Sequence, residues 1–125
     1  MGTLNSQSAH LVEASLRITR AMLVAYGSLT RDSNPIHLDE AFAASTPYGR
    51  CIAHGTLSLN ALWQSIDATF TAEMTARAAV DIRFTAPVFV GEILVGGGER
   101  VGDGRYEVWV KTSDRLVISG NLSFG

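Results

Sequence analysis

Apolar and polar residues alternate near the start of the chain, from Leu11 to Ile18. A period of two over this length predicts a half-buried strand. Thr19 then offers an N-cap, and the apolar positions that follow recur at helical spacing: Met22, Ala25, Tyr26 and Leu29. The pattern therefore predicts a strand and then a helix that ends near Thr30. Residues 1–10 are small and polar, and we expect them to be frayed.

A second helical pattern begins at Gly55 and runs to Phe70 without a proline. Its apolar stripe is predicted to face the core and consists of Gly55, Leu59, Leu62, Ile66 and Phe70. Ser58 and Ala61 lie beside this stripe and are small enough to permit close packing. A short helix capped by Asp39 is predicted before it and should extend through Ala44.

The pattern changes to a period of two from Ala79 onward, which indicates strands. After the first of these, residues 92–101, 105–113 and 116–124 give three more strands, joined by turn-like segments at 102–104 and 113–115. Three consecutive glycines at 96–98 suggest a bulge or a bend. The four strands are predicted to form a meander.

One long apolar helix against an antiparallel sheet predicts an α+β fold over residues 11–125, as a single domain. A sheet that wraps around a central helix in this way is the description of a hot-dog fold. We see no internal repeat, linker or low-complexity segment.

Composition excludes several classes of protein. Apolar residues make up 46% of the chain and charged residues 18%, which argues against disorder. The net charge is −2 with a pI near 5.8, unlike the basic surface of a nucleic-acid binder. No apolar run approaches the roughly 20 residues of a membrane span, and the N-terminus lacks the pattern of a secretion signal. The single cysteine, Cys51, cannot form an internal disulfide, so we expect a cytoplasmic location.

The most plausible acid–base pair lies within six residues, from Asp32 to His37. Pro35 disfavours a helical backbone at Asn34, and Asn34 itself suits a tight turn. A turn here could let the carboxylate of Asp32 and the imidazole of His37 converge on one point. Such a pair can hold a water molecule and transfer its proton.

Several segments together resemble the MaoC-like hydratases, which include (R)-specific enoyl-CoA hydratases and acyl-carrier dehydratases. The resemblance is carried by Asp32-Ser33-Asn34-Pro35-Ile36-His37-Leu38-Asp39, by Ala41-Phe42-Ala43, by Ile52-Ala53-His54-Gly55, by Tyr26 and by the run 84–91. It covers nearly the whole chain beyond residue 10. Many members of this family have a small residue, often glycine, before the motif aspartate, where this chain has Arg31.

The resemblance implies a hot-dog fold and the reversible addition of water to a trans-2-enoyl thioester, which gives an (R)-3-hydroxyacyl thioester. Asp32 and His37 would be the catalytic residues, and Gly55 and Asn34 would contact the substrate. The backbone N–H of Gly55 would bind the thioester carbonyl. The implied substrate is an acyl-CoA or acyl-carrier-protein thioester, the implied assembly is a homodimer, and no metal or organic cofactor is needed.

Other interpretations remain open from the sequence. The same scaffold could carry a thioesterase or a specialised biosynthetic dehydratase, or it could bind acyl thioesters without turning them over. His54 could be a ligand or a third catalytic group, although we favour a structural role in the loop before the helix. A metal site formed by His37, Asp39 and His54 is conceivable by residue type but less favoured, because the turn from Asp32 to His37 already explains His37. Asp39 is expected to be a helix cap and not a second acid. Cys51 is predicted to be a small buried side chain and not a nucleophile.

Overall fold

The computed structural model describes residues 8–125, which contain a five-stranded sheet and five helices. The elements in chain order are β1 (Ala14–Arg17), α1 (Arg20–Thr30), a 3₁₀ turn (Pro35–His37), α2 (Glu40–Ala44), α3 (Gly55–Ser58), α4 (Asn60–Thr69), α5 (Ala72–Ala76), β2 (Ala78–Phe84), β3 (Ile93–Gly102), β4 (Arg105–Lys111) and β5 (Leu116–Phe124). The predicted α+β class is confirmed.

The predicted frayed segment lies mostly outside the described residues. Its last three residues, 8–10, run beside β3: Arg100 donates its N–H to the Ala9 carbonyl at 2.9 Å, and His10 forms a bridge with Glu99. Residues 8–10 therefore contact the sheet, although the sequence predicted them to be frayed.

The strand order in the sheet is β1-β3-β4-β5-β2, and all neighbours are antiparallel. The prediction of a four-strand meander is therefore wrong in one respect. Strands β3, β4 and β5 follow one another, but β2 lies beside β5 instead of β3. The cause is the long connection of residues 85–92, which lets the chain cross from one side of the sheet to the other before β3 begins.

Helix α4 packs across the sheet against β1, β3 and β4. At Gly96 a Cβ atom would lie 2.2 Å from the carbonyl oxygen of Ala61, so only glycine permits this approach of helix and strand. The β3 register continues without interruption through residues 95–100. The predicted bulge at 96–98 is therefore wrong, and the glycines mark close backbone contact instead.

Buried hydroxyl groups join α4 to the segment before β1. Ser65 donates to the Val12 carbonyl at 2.6 Å, and the Val12 N–H donates to Thr69 Oγ1 at 2.8 Å. Thr69 in turn donates its hydroxyl to the Ser65 carbonyl at 2.7 Å. These bonds satisfy backbone groups of Val12 that would otherwise be lost beneath the helix.

The core contains the apolar face of α4 and the inner faces of the strands. Its largest fully buried side chains are Tyr106, Phe70, Ile18, Leu23, Leu62, Ile66, Leu94, Ile118 and Leu122. Phe70 meets the rings of Tyr106 and Phe124 edge-on at 5.3 and 4.9 Å. The predicted stripe on α1 is only partly right: Met22 and Tyr26 are half-buried, but Leu29 is 81% exposed, and the fully buried residue is Leu23, which the prediction left out.

The helix boundaries follow from capping. The side chains of Thr19 and Asp39 accept hydrogen bonds from the N–H groups of Met22 and Phe42, as predicted for the starts of α1 and α2. The predicted helix from Gly55 to Phe70 is divided at Leu59, whose φ of −62° and ψ of −22° nevertheless remain right-handed. Helix α5 was not predicted. No helix in residues 8–125 is long and apolar enough to cross a membrane.

We predict that Gly96→Ala lowers the free energy of unfolding by about 1–3 kcal/mol, because the new Cβ must push α4 away from β3. Gly97→Ala is the matched control, since its nearest neighbour would be the Trp109 side chain at 3.2 Å, which can shift more easily than backbone. Urea denaturation of both variants measures the difference. Equal stability of the two variants would contradict the packing argument.

Candidate active site

The site begins where α1 ends. Arg31 adopts a left-handed backbone with φ 57° and ψ 33°, and both the Arg31 and Asp32 N–H groups donate to the Gly27 carbonyl. This C-cap turns the chain back over the last turn of the helix. Glycine is the residue that best tolerates such a conformation, and this chain has Arg31 there instead.

The turn after Asp32 is held by two hydrogen bonds, each between residues two positions apart in the sequence. The Asn34 N–H donates to Asp32 Oδ1 at 3.1 Å, and the Ile36 N–H donates to Asn34 Oδ1 at 3.1 Å. Asn34 thus caps the 3₁₀ turn, in which Pro35 is the first residue. The turn fixes the Asp32 carboxylate by one oxygen and leaves the other oxygen to face His37.

Asp32, His37 and His54 form one polar group. The Asp32 Oδ2 atom lies 3.6 Å from His37 Nε2 and 4.0 Å from His54 Nε2. The two imidazole rings stack, with centroids 3.7 Å apart and planes at 25°. Both histidines are buried, whereas the Asp32 side chain is 44% exposed. The structure therefore brings the predicted pair together at the surface end of a buried stack.

A backbone carbonyl determines which nitrogen of His37 carries the proton. His37 Nδ1 lies 2.8 Å from the Ile52 carbonyl oxygen, which can only accept a hydrogen bond. Nδ1 must then be the protonated nitrogen, and in the neutral ring Nε2 keeps a free lone pair. That lone pair faces the Asp32 carboxylate, so two hydrogen-bond acceptors, one nitrogen and one oxygen, face the same space. A water molecule with two hydrogens complements such a pair.

The electrostatics of the group keep Asp32 charged and His54 neutral. The Asn34 N–H lowers the pKa of the Asp32 carboxyl, partial desolvation opposes this, and the positive charges of His37 and His54 in their protonated forms lower the pKa further. Burial lowers the pKa of His54, and the neighbouring His37 adds to this, although Asp32 partly opposes it. At neutral pH the group therefore contains one carboxylate and a neutral inner imidazole.

Gly55 lies at the N-terminus of α3, directly after His54. It is exposed, and within residues 8–125 its N–H has no hydrogen-bond acceptor, as is usual for the first turn of a helix. A cavity of about 320 Å³ adjoins it, lined by Tyr48, Ile52, Ala53, Gly55, Ser58, Phe84, Thr85, Ala86, Pro87, Val88 and Val117. The cavity therefore connects the free amide with the loop that holds His37.

Helix α1 supports the opposite side of the group. The Tyr26 hydroxyl is 2.5 Å from Thr56 Oγ1, which ties α1 to the first turn of α3. The Tyr26 ring also lies 5.0 Å from that of His54. A Cβ at Gly27 would lie 3.0 Å from the Asp32 carbonyl oxygen and 3.5 Å from His54 Nε2. Glycine here gives the turn and the buried ring the space they need.

The metal site considered from the sequence does not form as composed, because Asp39 is used as the cap of α2. Asp32 takes its place: one atom each from Asp32, His37 and His54 lie within 4.8 Å of one another. The Nε2 atoms of both rings lie near the same Asp32 oxygen, at 3.6 and 4.0 Å.

Sequence reasoning found most of this group but not its backbone parts. Asp32 and His37 are adjacent as expected, Gly55 begins α3, and Cys51 is buried. The observed contacts of Asn34 build the turn, and its predicted contact with substrate stays a prediction. Sequence reasoning missed the Ile52 carbonyl, which no side-chain pattern could reveal, and Thr56. The stack of His54 on His37 was also not foreseen.

Comparison with known proteins identifies the family. The MaoC-like domain family model matches residues 5–120. The chain is 34% identical over 77 residues to a 3-hydroxybutyryl-CoA dehydratase from Methylorubrum extorquens, covering 62% of this chain and 49% of that protein. It is 35% identical over 78 residues to an (R)-specific enoyl-CoA hydratase from Aeromonas caviae, covering 62% and 58%. The matched chain thus spans about half the length of these curated relatives.

Solved structures show the same architecture. The (R)-hydratase from A. caviae superposes with a TM-score of 0.72 at 26% identity, covering 95% of this chain and 99% of that one. An R-hydratase from Pseudomonas aeruginosa superposes with a TM-score of 0.79 at 23% identity, covering 99% of this chain and 87% of that one. The predicted hot-dog fold is confirmed. With a family match over most of its length and the family's fold, the chain belongs to the MaoC-like domain family.

Proposed function

We propose that this protein is a hydratase or dehydratase that adds water to a trans-2-enoyl thioester or removes it from an (R)-3-hydroxyacyl thioester. The observation that carries the proposal is the pair of facing acceptors, Asp32 Oδ2 and His37 Nε2, which are 3.6 Å apart. The free amide of Gly55 follows directly after His54, whose ring stacks on His37. The names of the two curated relatives, a dehydratase and an enoyl-CoA hydratase, agree with this reaction class.

Proton transfer is assigned to His37 Nε2. Asp32 and His37 each accept one hydrogen of the reacting water, which orients its oxygen toward the β-carbon of the enoyl group. Since its lowered pKa makes the Asp32 carboxylate the weaker base, the imidazole takes the proton as the carbon–oxygen bond forms. The imidazolium then returns that proton to the α-carbon, and one water has been added. Dehydration follows the same steps in reverse.

The N-terminus of α3 is proposed to stabilise the enolate intermediate. When water attacks the β-carbon, negative charge moves to the thioester oxygen. The Gly55 N–H and the helix dipole offer that oxygen a donor and a partial positive charge. The adjoining cavity of about 320 Å³, mostly apolar in its lining, gives the thioester a place next to this amide.

The substrate carrier is proposed to be coenzyme A or an acyl carrier protein. Asn34 is exposed and uses its Oδ1 atom for the turn, so its Nδ2 amide group remains for a polar contact with the substrate.

The proposal for the cellular location of the protein rests on Cys51, which is a buried free thiol. A lone cysteine suits a reducing compartment, so we propose the cytoplasm.

We predict that Asp32→Asn and His37→Ala each lower crotonyl-CoA hydration by about 10²–10⁴-fold, because either change removes one acceptor of the reacting water. The loss of enoyl-thioester absorbance measures the rate. Asp39→Asn is the matched control and should retain activity, since asparagine caps a helix as well as aspartate. Wild-type rates in both site variants would refute the assignment, and release of free thiol would instead indicate a thioesterase.

We predict that Gly55→Pro lowers kcat by about 10²–10³-fold, corresponding to the loss of one oxyanion donor. Proline removes the N–H but is favoured at the first position of a helix, and the extended backbone of His54 (φ −61°, ψ 135°) accepts a following proline. Gly55→Ala keeps the N–H and serves as the control. Similar kcat values in the two variants would exclude the amide as a donor.

We also propose that the protein is a homodimer joined at β2. This seven-residue strand pairs only with β5 among the described strands, so its outer edge is open, and the nearby Phe84 side chain is 50% exposed. Such an edge is normally covered. Light scattering after size exclusion should give twice the chain mass of 13.4 kDa. A monomer at micromolar concentration would contradict the proposal.

A further inference from the structure

His54 is a buried imidazole without a hydrogen-bond partner. It is 4% exposed, and neither Nδ1 nor Nε2 has a hydrogen-bond partner of normal geometry in residues 8–125, although the Asp32 backbone carbonyl lies near enough to the ring to raise its pKa. A polar atom left unpaired in this way destabilises the folded state, and native proteins contain few of them. A phenylalanine or leucine would fill the same space without that penalty. The imidazole therefore needs a reason other than packing.

The surroundings of His54 point to that reason. One face of its ring stacks on His37 at 3.7 Å, and Tyr26 lies 5.0 Å away on the α1 side. The titratable groups that face it are thus Tyr26, His37 and Asp32. Its Nε2 atom lies 4.0 Å from Asp32 Oδ2, the oxygen that the Asn34 N–H does not hold. Hydrogen bonds in unliganded sites are often long and tighten when substrate binds.

We propose that His54 is a positioning residue for the Asp32 carboxylate, and this inference rests on the proposed hydratase function. Its Nε2–H attracts Oδ2, while the Asn34 N–H holds Oδ1, so the exposed carboxylate keeps the rotamer in which Oδ2 faces His37. The ring does not touch substrate, since both nitrogens are buried. His54 acts through Asp32 and through its contact with the His37 ring.

The electrostatic balance agrees with this role. Burial lowers the pKa of His54, so the ring is neutral near pH 7 and acts as a dipole without adding a charge beside His37. In its protonated form, His54 is also one of the groups that lower the pKa of Asp32, after the Asn34 N–H and His37. Removal of the His54 nitrogens should therefore raise the pKa of the Asp32 carboxyl.

Three substitutions separate positioning from packing. His54→Phe keeps an aromatic ring against His37 but removes both nitrogens. His54→Gln places an amide N–H near the position of Nε2, and His54→Asn places one near Nδ1. Glutamine and asparagine differ by a single methylene and are the matched pair, because only glutamine can reach toward Asp32.

We expect His54→Phe to lower kcat for crotonyl-CoA by about 10–100-fold with KM unchanged, since a misplacement of roughly 1 Å can cost about 10²-fold. His54→Gln should recover most of this loss and His54→Asn little of it. A ¹³C NMR titration of the Asp32 carboxyl should give a higher pKa in His54→Phe than in the wild type, and a value nearer the wild type in His54→Gln.

Stability should move in the opposite direction from activity. His54→Phe is expected to be at least as stable as the wild type at pH 7.5, because it removes two unpaired polar atoms. The pKa of His54 is lower in the folded chain, so below about pH 6.5 the unfolded chain binds the extra proton and the wild type loses stability. His54→Phe lacks this loss, and its advantage should grow between pH 6.5 and pH 5 in urea denaturation.

A purely structural role would be shown by wild-type kcat and an unmoved Asp32 titration in His54→Phe, and this result would overturn the proposal. If that variant does not fold, equal kcat values in His54→Gln and His54→Asn would overturn it instead. The hydratase assignment is tested separately by the wild-type chain. If the wild type turns over no enoyl thioester, that assignment fails, and the Asp32 titration alone then decides whether His54 positions the carboxylate.

Discussion

The hydrogen bond between the His37 ring and the Ile52 carbonyl is the interaction on which the site depends. At 2.8 Å it places the proton on Nδ1 and leaves Nε2 free toward Asp32. No side chain enforces this choice. It follows from a backbone oxygen that can accept but cannot donate, so the chemistry of the imidazole is determined by the position of a loop.

That loop is held from two sides. The Ile52 N–H donates to the Ile36 carbonyl in the 3₁₀ turn at 3.2 Å, and the Ala53 N–H donates to the Val88 carbonyl at 2.8 Å in the connection between β2 and β3. The residue after Ala53 is the stacked histidine, and the next is the glycine that begins α3. A shift of this one segment would therefore move the His37 imidazole, the buried His54 ring and the Gly55 amide together.

Much of the fold could be predicted because it is encoded in local patterns. The caps at Thr19 and Asp39 and the strand of residues 116–124 were found from side-chain type and periodicity alone. The position of β2 beside β5 could not be predicted, because alternation shows that a segment is a strand but not which neighbour it has. The glycine at 96 was misread for a similar reason: its cause is a helix backbone distant in the sequence.

The site also combines features that are encoded locally with features that depend on distant segments. The turn from Asp32 to His37 is a local motif, and its turn-forming residues were sufficient to predict that the two side chains could meet. The stack of His54 and the Ile52 carbonyl depend on how two distant segments pack, and neither has a sequence signal.

The most direct test of the account is the tautomer of His37, measured from the ¹⁵N chemical shifts of its ring nitrogens in the unliganded protein. The account predicts a protonated Nδ1 and an unprotonated Nε2 in the neutral ring. A neutral ring that carries its proton on Nε2 would contradict it, because no Nε2 lone pair would then face the space between His37 and Asp32.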